Sequence, residues 1–180
     1  MILVVGASGL LGGLITQGLL AQGKRVRILT RGNPACAALI RAGATSVEGD
    51  LKDPASLLRA VKGVTTVITT ANAAQRSGGD TFESVDLAGN QNLIDAAAAA
   101  SVRQFIFTSA FAADARSPDA FMSYKGRTEQ ALARSGMNYT ILAPHVFMEV
   151  WFGGYLSPRC GYPEKRCAPP AARCTNPPER

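Results

Sequence analysis

The sequence predicts a doubly wound α/β fold, a parallel sheet with helices on both faces in three layers (αβα). Three observations support this. Strand and helix patterns alternate along the chain, the connections between them are short, and the residues suited to chemistry fall just past strand ends, where such sheets bind ligands.

Each element has its own cause. Ile2, Leu3, Val4 and Val5 are β-formers that run into a glycine-rich turn. Leu10 to Ala21 follows as an apolar helix, closed by Gly23. Arg25–Thr30 alternates as a strand, and Pro34–Ala42 is a short helix ending at Gly43. Thr45–Gly49 is a third strand. Asp53 caps the next helix and Pro54 fits its first turn, with a stop at Gly63. Val64–Thr70 is β-branched and reads as a buried strand. After a polar loop over Asn72–Gly79, one long helix spans Thr81 to Ala100. Val102–Thr108 is a fifth strand, Asp119–Arg134 a helix stopped by Ser135-Gly136, and Met137–Leu142 a sixth strand closed by Pro144.

The 180 residues suffice for one domain with a full core, and 47% apolar with 18% charged residues fits a globular protein. No apolar run reaches the ~20 residues of a membrane span. The first strand begins at Ile2, leaving no room for a targeting peptide, so a cytoplasmic protein is expected. The net charge is +6, but half of it comes from the stretch after Leu156, where five basic residues face Glu164 and Glu179. The rest carries no aromatic-and-basic pattern, which argues against nucleic-acid binding.

The turn Gly6-Ala7-Ser8-Gly9-Leu10-Leu11-Gly12 is the main candidate site. Strand, spaced glycines and helix together build a phosphate site. Gly6 takes a conformation closed to other residues, Gly9 lets a pyrophosphate approach the backbone, and Gly12 lets helix and strand pack closely. The helix N-terminus then offers free N–H groups to the anion. The spacing is G-x-x-G-x-x-G, not the common G-x-G-x-x-G.

Thr30-Arg31 ends the second strand, where an acid would bind a ribose 2′-hydroxyl. No acid lies between Gly23 and Thr45, and Arg31 can pair with a 2′-phosphate, which favours NADP over NAD. Arg27 is a weaker second candidate. Asp50 can accept from an adenine amino group and Leu51 can lie against the ring; an ordinary capping role for Asp50 is the alternative. Small residues at Thr70, Ala71 and Asn72 would let the cofactor ribose pass.

The pieces GASGLLG, LTR, EGDL, GNQNLIDAAAAASVRQFIFTSA and YKGRTEQALARSGMNYTILAP together resemble the NmrA-like group of atypical short-chain dehydrogenase/reductases, from Met1 to about Trp151. The resemblance implies an NADP-preferring Rossmann domain. It also implies that the glycine turn, Arg31, Asp50 and Lys125 line the cofactor. Some members of the group transfer hydride, quinone reductases among them; others sense the cofactor and regulate a protein partner. Typical short-chain dehydrogenases use Tyr and Lys four apart on one helix face. Here Tyr124 and Lys125 are adjacent and Phe121 stands four before Lys125, so that pair is absent. Lys125 remains the catalytic candidate, as a ribose ligand or carbonyl polariser; the alternative is a solvated lysine paired with Glu129. His145, the only histidine, is a weaker candidate, and Ala143 stands where the group often carries Arg. The expected function is an NAD(P)H-dependent oxidoreductase acting on a quinone or other small carbonyl or enone. The alternatives are an NADP(H)-sensing regulator or a truncated remnant.

The dinucleotide-binding domain is expected to span 1–156. Residues 157–180 hold six prolines and three cysteines, with Arg-Cys recurring every seven residues from Arg159. Proline forbids a coiled coil, and three sulfurs without histidine fit zinc poorly. The tail is expected to be disordered, and the abrupt change suggests a truncation or frame shift near Ser157. Phe147, Met148, Val150, Trp151 and Phe152 would then lack cover and form a dimerisation surface.

Overall fold

The computed structural model describes residues 1–73 and 79–145. They contain six strands in one all-parallel sheet: β1 (Ile2–Val5), β2 (Val26–Thr30), β3 (Thr45–Glu48), β4 (Thr66–Thr69), β5 (Gln104–Thr108) and β6 (Asn138–Leu142). The order is β3-β2-β1-β4-β5-β6, the doubly wound arrangement, and strand order reverses between β1 and β4. Register is even throughout: Val5 sits opposite Leu29 and Thr69, Thr30 opposite Glu48, and Thr108 opposite Leu142.

Strand periodicity sorts the side chains into two cores. Leu3, Val5, Val67, Phe105 and Phe107 face one side and pack with Leu57, Val61, Leu93, Ile94 and Leu132 from the helices α3 (Pro54–Val61), α4 (Asn90–Ala99) and α5 (Ala120–Arg134). Val4, Val26 and Ile28 face the other side, with Ile15 and Leu39 from α1 (Leu10–Ala21) and α2 (Ala37–Arg41). The expected three layers are present. Neighbouring Val5 and Val4 enter opposite cores, so a one-residue slip of β1 would exchange them.

Two elements differ from the sequence expectation. Pro34–Cys36 is a 3-10 turn ahead of a shorter α2. The helix expected as continuous from Thr81 to Ala100 begins as a π-helix over Phe82–Gly89 and becomes α only at Asn90. Side chains compensate for the altered winding: Asn90 Nδ2 donates to the Val85 and Asp86 carbonyls at 3.1 and 3.3 Å, and Thr128 Oγ1 donates to the Asp86 carbonyl at 2.9 Å. These partners are polar residues of ordinary type, so no sequence period announces the change.

No described helix is long and apolar enough to cross a membrane. The expected boundary at 156/157, the disordered tail and the apolar segment Phe147–Phe152 lie outside the described residues.

Candidate functional site

Because all strands run parallel, the residues following each lie along one edge of the sheet. At its centre is the β1–α1 turn. Gly6 has φ +90°, and a Cβ there would lie 2.6 Å from Thr70 Oγ1. A Cβ on Gly12 would lie 2.2 Å from the Gly6 carbonyl oxygen. Both positions therefore require glycine, and the turn is drawn tight against the end of β4. Gly9 N–H donates to the Gly6 carbonyl at 3.0 Å. Ala7 is buried, Leu11 is half-buried, and Ser8, Gly9 and Leu10 are exposed at the rim. Gly9 is the N-cap of α1; no side chain caps the helix and no acid lies in its first turn. The positive end of the helix is thus left uncompensated by these groups, which suits a diphosphate.

On the β2–β3 side lies a cluster of four charges. Arg31 Nη1 sits 3.0 Å from Asp80 Oδ2 and 3.5 Å from Asp50 Oδ2. Lys52 Nζ sits 2.7 Å from Asp80 Oδ1 and 3.9 Å from Asp50 Oδ2. The Asp80 side chain is only 5% exposed, against 47% for Arg31 and 39% for Lys52. The hydrogen bond from Lys52, with Arg31 assisting, outweighs burial and holds the Asp80 carboxyl down at about 2. Asp50 Oδ1 also accepts from the Lys52 N–H at 2.9 Å, a local turn contact. Leu51 packs in the core, and its carbonyl accepts from Asn92 Nδ2 at 3.0 Å. Sequence reasoning found Arg31 and Asp50 but not Lys52 or Asp80. Lys52 reads as an ordinary surface lysine, and Asp80 is brought in from the far side of the β4 loop.

Arg27 is a correction. Its Nη1 donates to the Ala60 and Lys62 carbonyls at 2.7 Å each, capping the end of α3. Arg27 lies near the start of β2, away from the edge that carries Arg31, so it is not available to the same phosphate.

At the end of β4, Thr70 Oγ1 lies 3.4 Å from the Val5 and Gly6 carbonyls. Asn72 Nδ2 donates to the Thr70 carbonyl at 3.4 Å, and Ala71 is buried. The next residue, Ala73, donates its N–H to Asp86 Oδ2 at 2.9 Å.

That carboxylate belongs to a second cluster, which is buried. Lys125 Nζ lies 3.1 Å from Asp86 Oδ1, and the two side chains are 3% and 0% exposed. Asp86 Oδ1 has no aligned hydrogen bond among the described residues, so the contact is one of charge. Lys125 Nζ also donates to the Thr108 carbonyl at 3.2 Å and lies 4.9 Å from the centre of the Phe107 ring. Burial pushes the Lys125 ammonium below its ordinary pKa, and the Asp86 charge opposes that shift. Beside it, Ser109 Oγ donates to the Glu129 carboxylate. The alternative of a solvated Lys125 paired with Glu129 is therefore corrected: the lysine is buried and its partner is Asp86. Tyr124 is turned elsewhere, with the Arg127 guanidinium 5.8 Å over its ring, while Phe121 approaches Lys125 at 5.5 Å. His145 stacks on Phe111 with ring centres 3.8 Å apart. No group of acids, cysteines and histidine suited to a metal occurs among the described residues.

The sequence profile of an NAD(P)H-binding family matches residues 6–155. A photosystem II assembly factor, Ycf39 of Cyanophora paradoxa, is 38% identical over 157 residues, covering 87% of this chain and 49% of that protein. The NADPH-dependent quinone oxidoreductase QOR2 of Escherichia coli, solved with NADPH, superposes with a TM-score of 0.70 at 28% identity, covering 86% of this chain and 52% of that one. The triphenylmethane reductase of Citrobacter sp., solved with NADP(H), superposes with a TM-score of 0.69 at 25% identity, covering 84% and 51%. The chain spans about half the length of the relatives it matches.

Proposed function

The chain belongs to the NAD(P)H-binding family, and from that premise we propose that it binds NADP(H) in preference to NAD(H) and reduces a quinone or another small carbonyl or enone. The observation that carries this reading is the pairing of an uncapped α1 N-terminus with the exposed Arg31 on the neighbouring strand end. The turn Gly6–Gly12 receives the diphosphate on backbone N–H groups. Arg31 meets the 2′-phosphate with its guanidinium, and the β2 end itself carries no acid in the place where one would bind a ribose 2′-hydroxyl. Asp50 stands at the adenine end, with Leu51 supporting it from the core. Thr70, Ala71 and Asn72 form the low wall over which the ribose passes.

When bound, the cofactor supplies hydride. Lys125 holds its amino group beneath the end of β5, oriented by the Thr108 carbonyl and Asp86. There it serves as ribose ligand or carbonyl polariser. Phe121 stands where a proton-donating tyrosine would be needed, so the substrate class is one that takes its proton from solvent. Quinones meet that requirement. NADPH oxidation followed with a panel of quinones tests the reading. Turnover that falls in Lys125→Ala, with folding verified by circular dichroism, is the expected result; NADPH affinity that falls with it identifies the ribose-ligand role, and retained affinity the carbonyl-polariser role.

A second reading is an NADP(H)-binding regulator that assists a protein partner. It is favoured by the 38% identity to an assembly factor and by the buried, already paired state of Lys125. Retained NADPH binding with no turnover on any quinone would select it.

A further inference from the structure

We propose that Lys52 and Asp80 complete the 2′-phosphate site around Arg31, with Asp80 as a positioning residue that holds the two cations together as a clamp. This rests on the NADP(H) reading above. Arg31 follows β2 and Lys52 follows β3, and two like charges on neighbouring loops would separate unless something drew them together. Asp50 reaches both at 3.5 and 3.9 Å, but Asp80 makes the closer contacts, with Oδ1 on Lys52 at 2.7 Å and Oδ2 on Arg31 at 3.0 Å.

Burial gives the arrangement its direction. The carboxylate is 5% exposed while the cations are 47% and 39% exposed. The acid therefore lies beneath and the cations face solvent. The contacts of Arg31 with Asp50 and Asp80 both leave from Nη1, which keeps Nη2 and Nε for an incoming anion. The Lys52 ammonium has three donors and directs one to Asp80. A phosphate monoester dianion can use both cations, whereas a 2′-hydroxyl gains little from the second. Asp50 and Asp80 reduce the net attraction. Even so, a clamp assembled beforehand need not bring two cations together at the moment of binding.

The test is calorimetric titration of the full chain and its variants with NADPH and with NADH, each variant's folding checked by circular dichroism. Lys52→Ala should weaken NADPH by about tenfold and leave NADH within about twofold. Asp80→Asn should also weaken NADPH selectively. That outcome is diagnostic, because removing a negative charge without loss of positioning would strengthen NADPH binding instead. Tighter NADPH binding by Asp80→Asn, or an unchanged NADPH affinity in Lys52→Ala, overturns the proposal. If Asp80→Asn does not fold, Lys52→Ala decides alone. Loss of preference in Arg31→Ala, with none in Lys52→Ala or Asp80→Asn, refutes the clamp and leaves the NADP(H) reading standing. A wild-type chain that binds neither nucleotide refutes both.

Discussion

Two charge clusters sit at the same edge of one sheet and obey different physics. The outer one, Arg31, Asp50, Lys52 and Asp80, presents half-exposed cations to water. The inner one, Asp86 with Lys125, is sealed. Solvent and salt screen the outer cluster, so each of its contacts is weak, and the use proposed for it is selection among anions. The inner pair is almost wholly removed from solvent, so breaking it is expensive. The proposed selectivity thus lies where charges are cheap to rearrange, and the buried pair lies where rearrangement is costly.

The largest effect that could break this contrast is at the inner pair. Lys125→Met leaves Asp86 charged and buried, and should cost about 3–5 kcal/mol of stability in urea denaturation. The double variant Lys125→Met/Asp86→Asn should recover much of it. A single variant as stable as the parent would show that the pair is not sealed. Next comes the turn between the clusters. Gly12→Ala places a Cβ 2.2 Å from the Gly6 carbonyl oxygen, so the backbone must shift. A loss of about 1–3 kcal/mol is expected, together with loss of nucleotide affinity. Retained affinity would mean that the turn does not hold the diphosphate.

The smallest effect belongs to the outer cluster and concerns pH. Asp80 titrates at about 2 when folded, below the ordinary 3.8. A depressed carboxylate contributes stability above its unfolded pKa and loses it as pH falls through the folded one. Stability should therefore decline between about pH 4 and about pH 2, and Asp80→Asn should flatten that slope in thermal melts across the window. An unchanged slope would remove Asp80 from the network.

The same contrast explains what the sequence made legible. Strand and helix periods, glycines at turns and the Asp53-Pro54 start are local signals, and the six strands and three layers follow from them. Arg31 and Asp50 were visible because they sit immediately past strand ends. Asp80 was not, because its partners arrive from other loops. Asp86 lies hidden in a segment that reads as ordinary helix but winds as π, with Asn90 and Thr128 side chains bonded to its carbonyls. Lys125 is legible as a candidate, and helical spacing offers Glu129 only as the partner of its solvated alternative; tertiary packing gives Glu129 to Ser109 and Lys125 to Asp86. Arg27 has the same residue type as Arg31, but it lies near the start of β2 whereas Arg31 follows its end, and that position sends it to α3.

Calorimetric titration of the wild-type chain with NADPH and NADH, at low and high salt, tests the central claim most directly. Binding of NADPH that is tighter than that of NADH, with the difference shrinking as salt rises, is the expected result. Equal affinity for the two nucleotides, or no heat from either with folded protein, would contradict it.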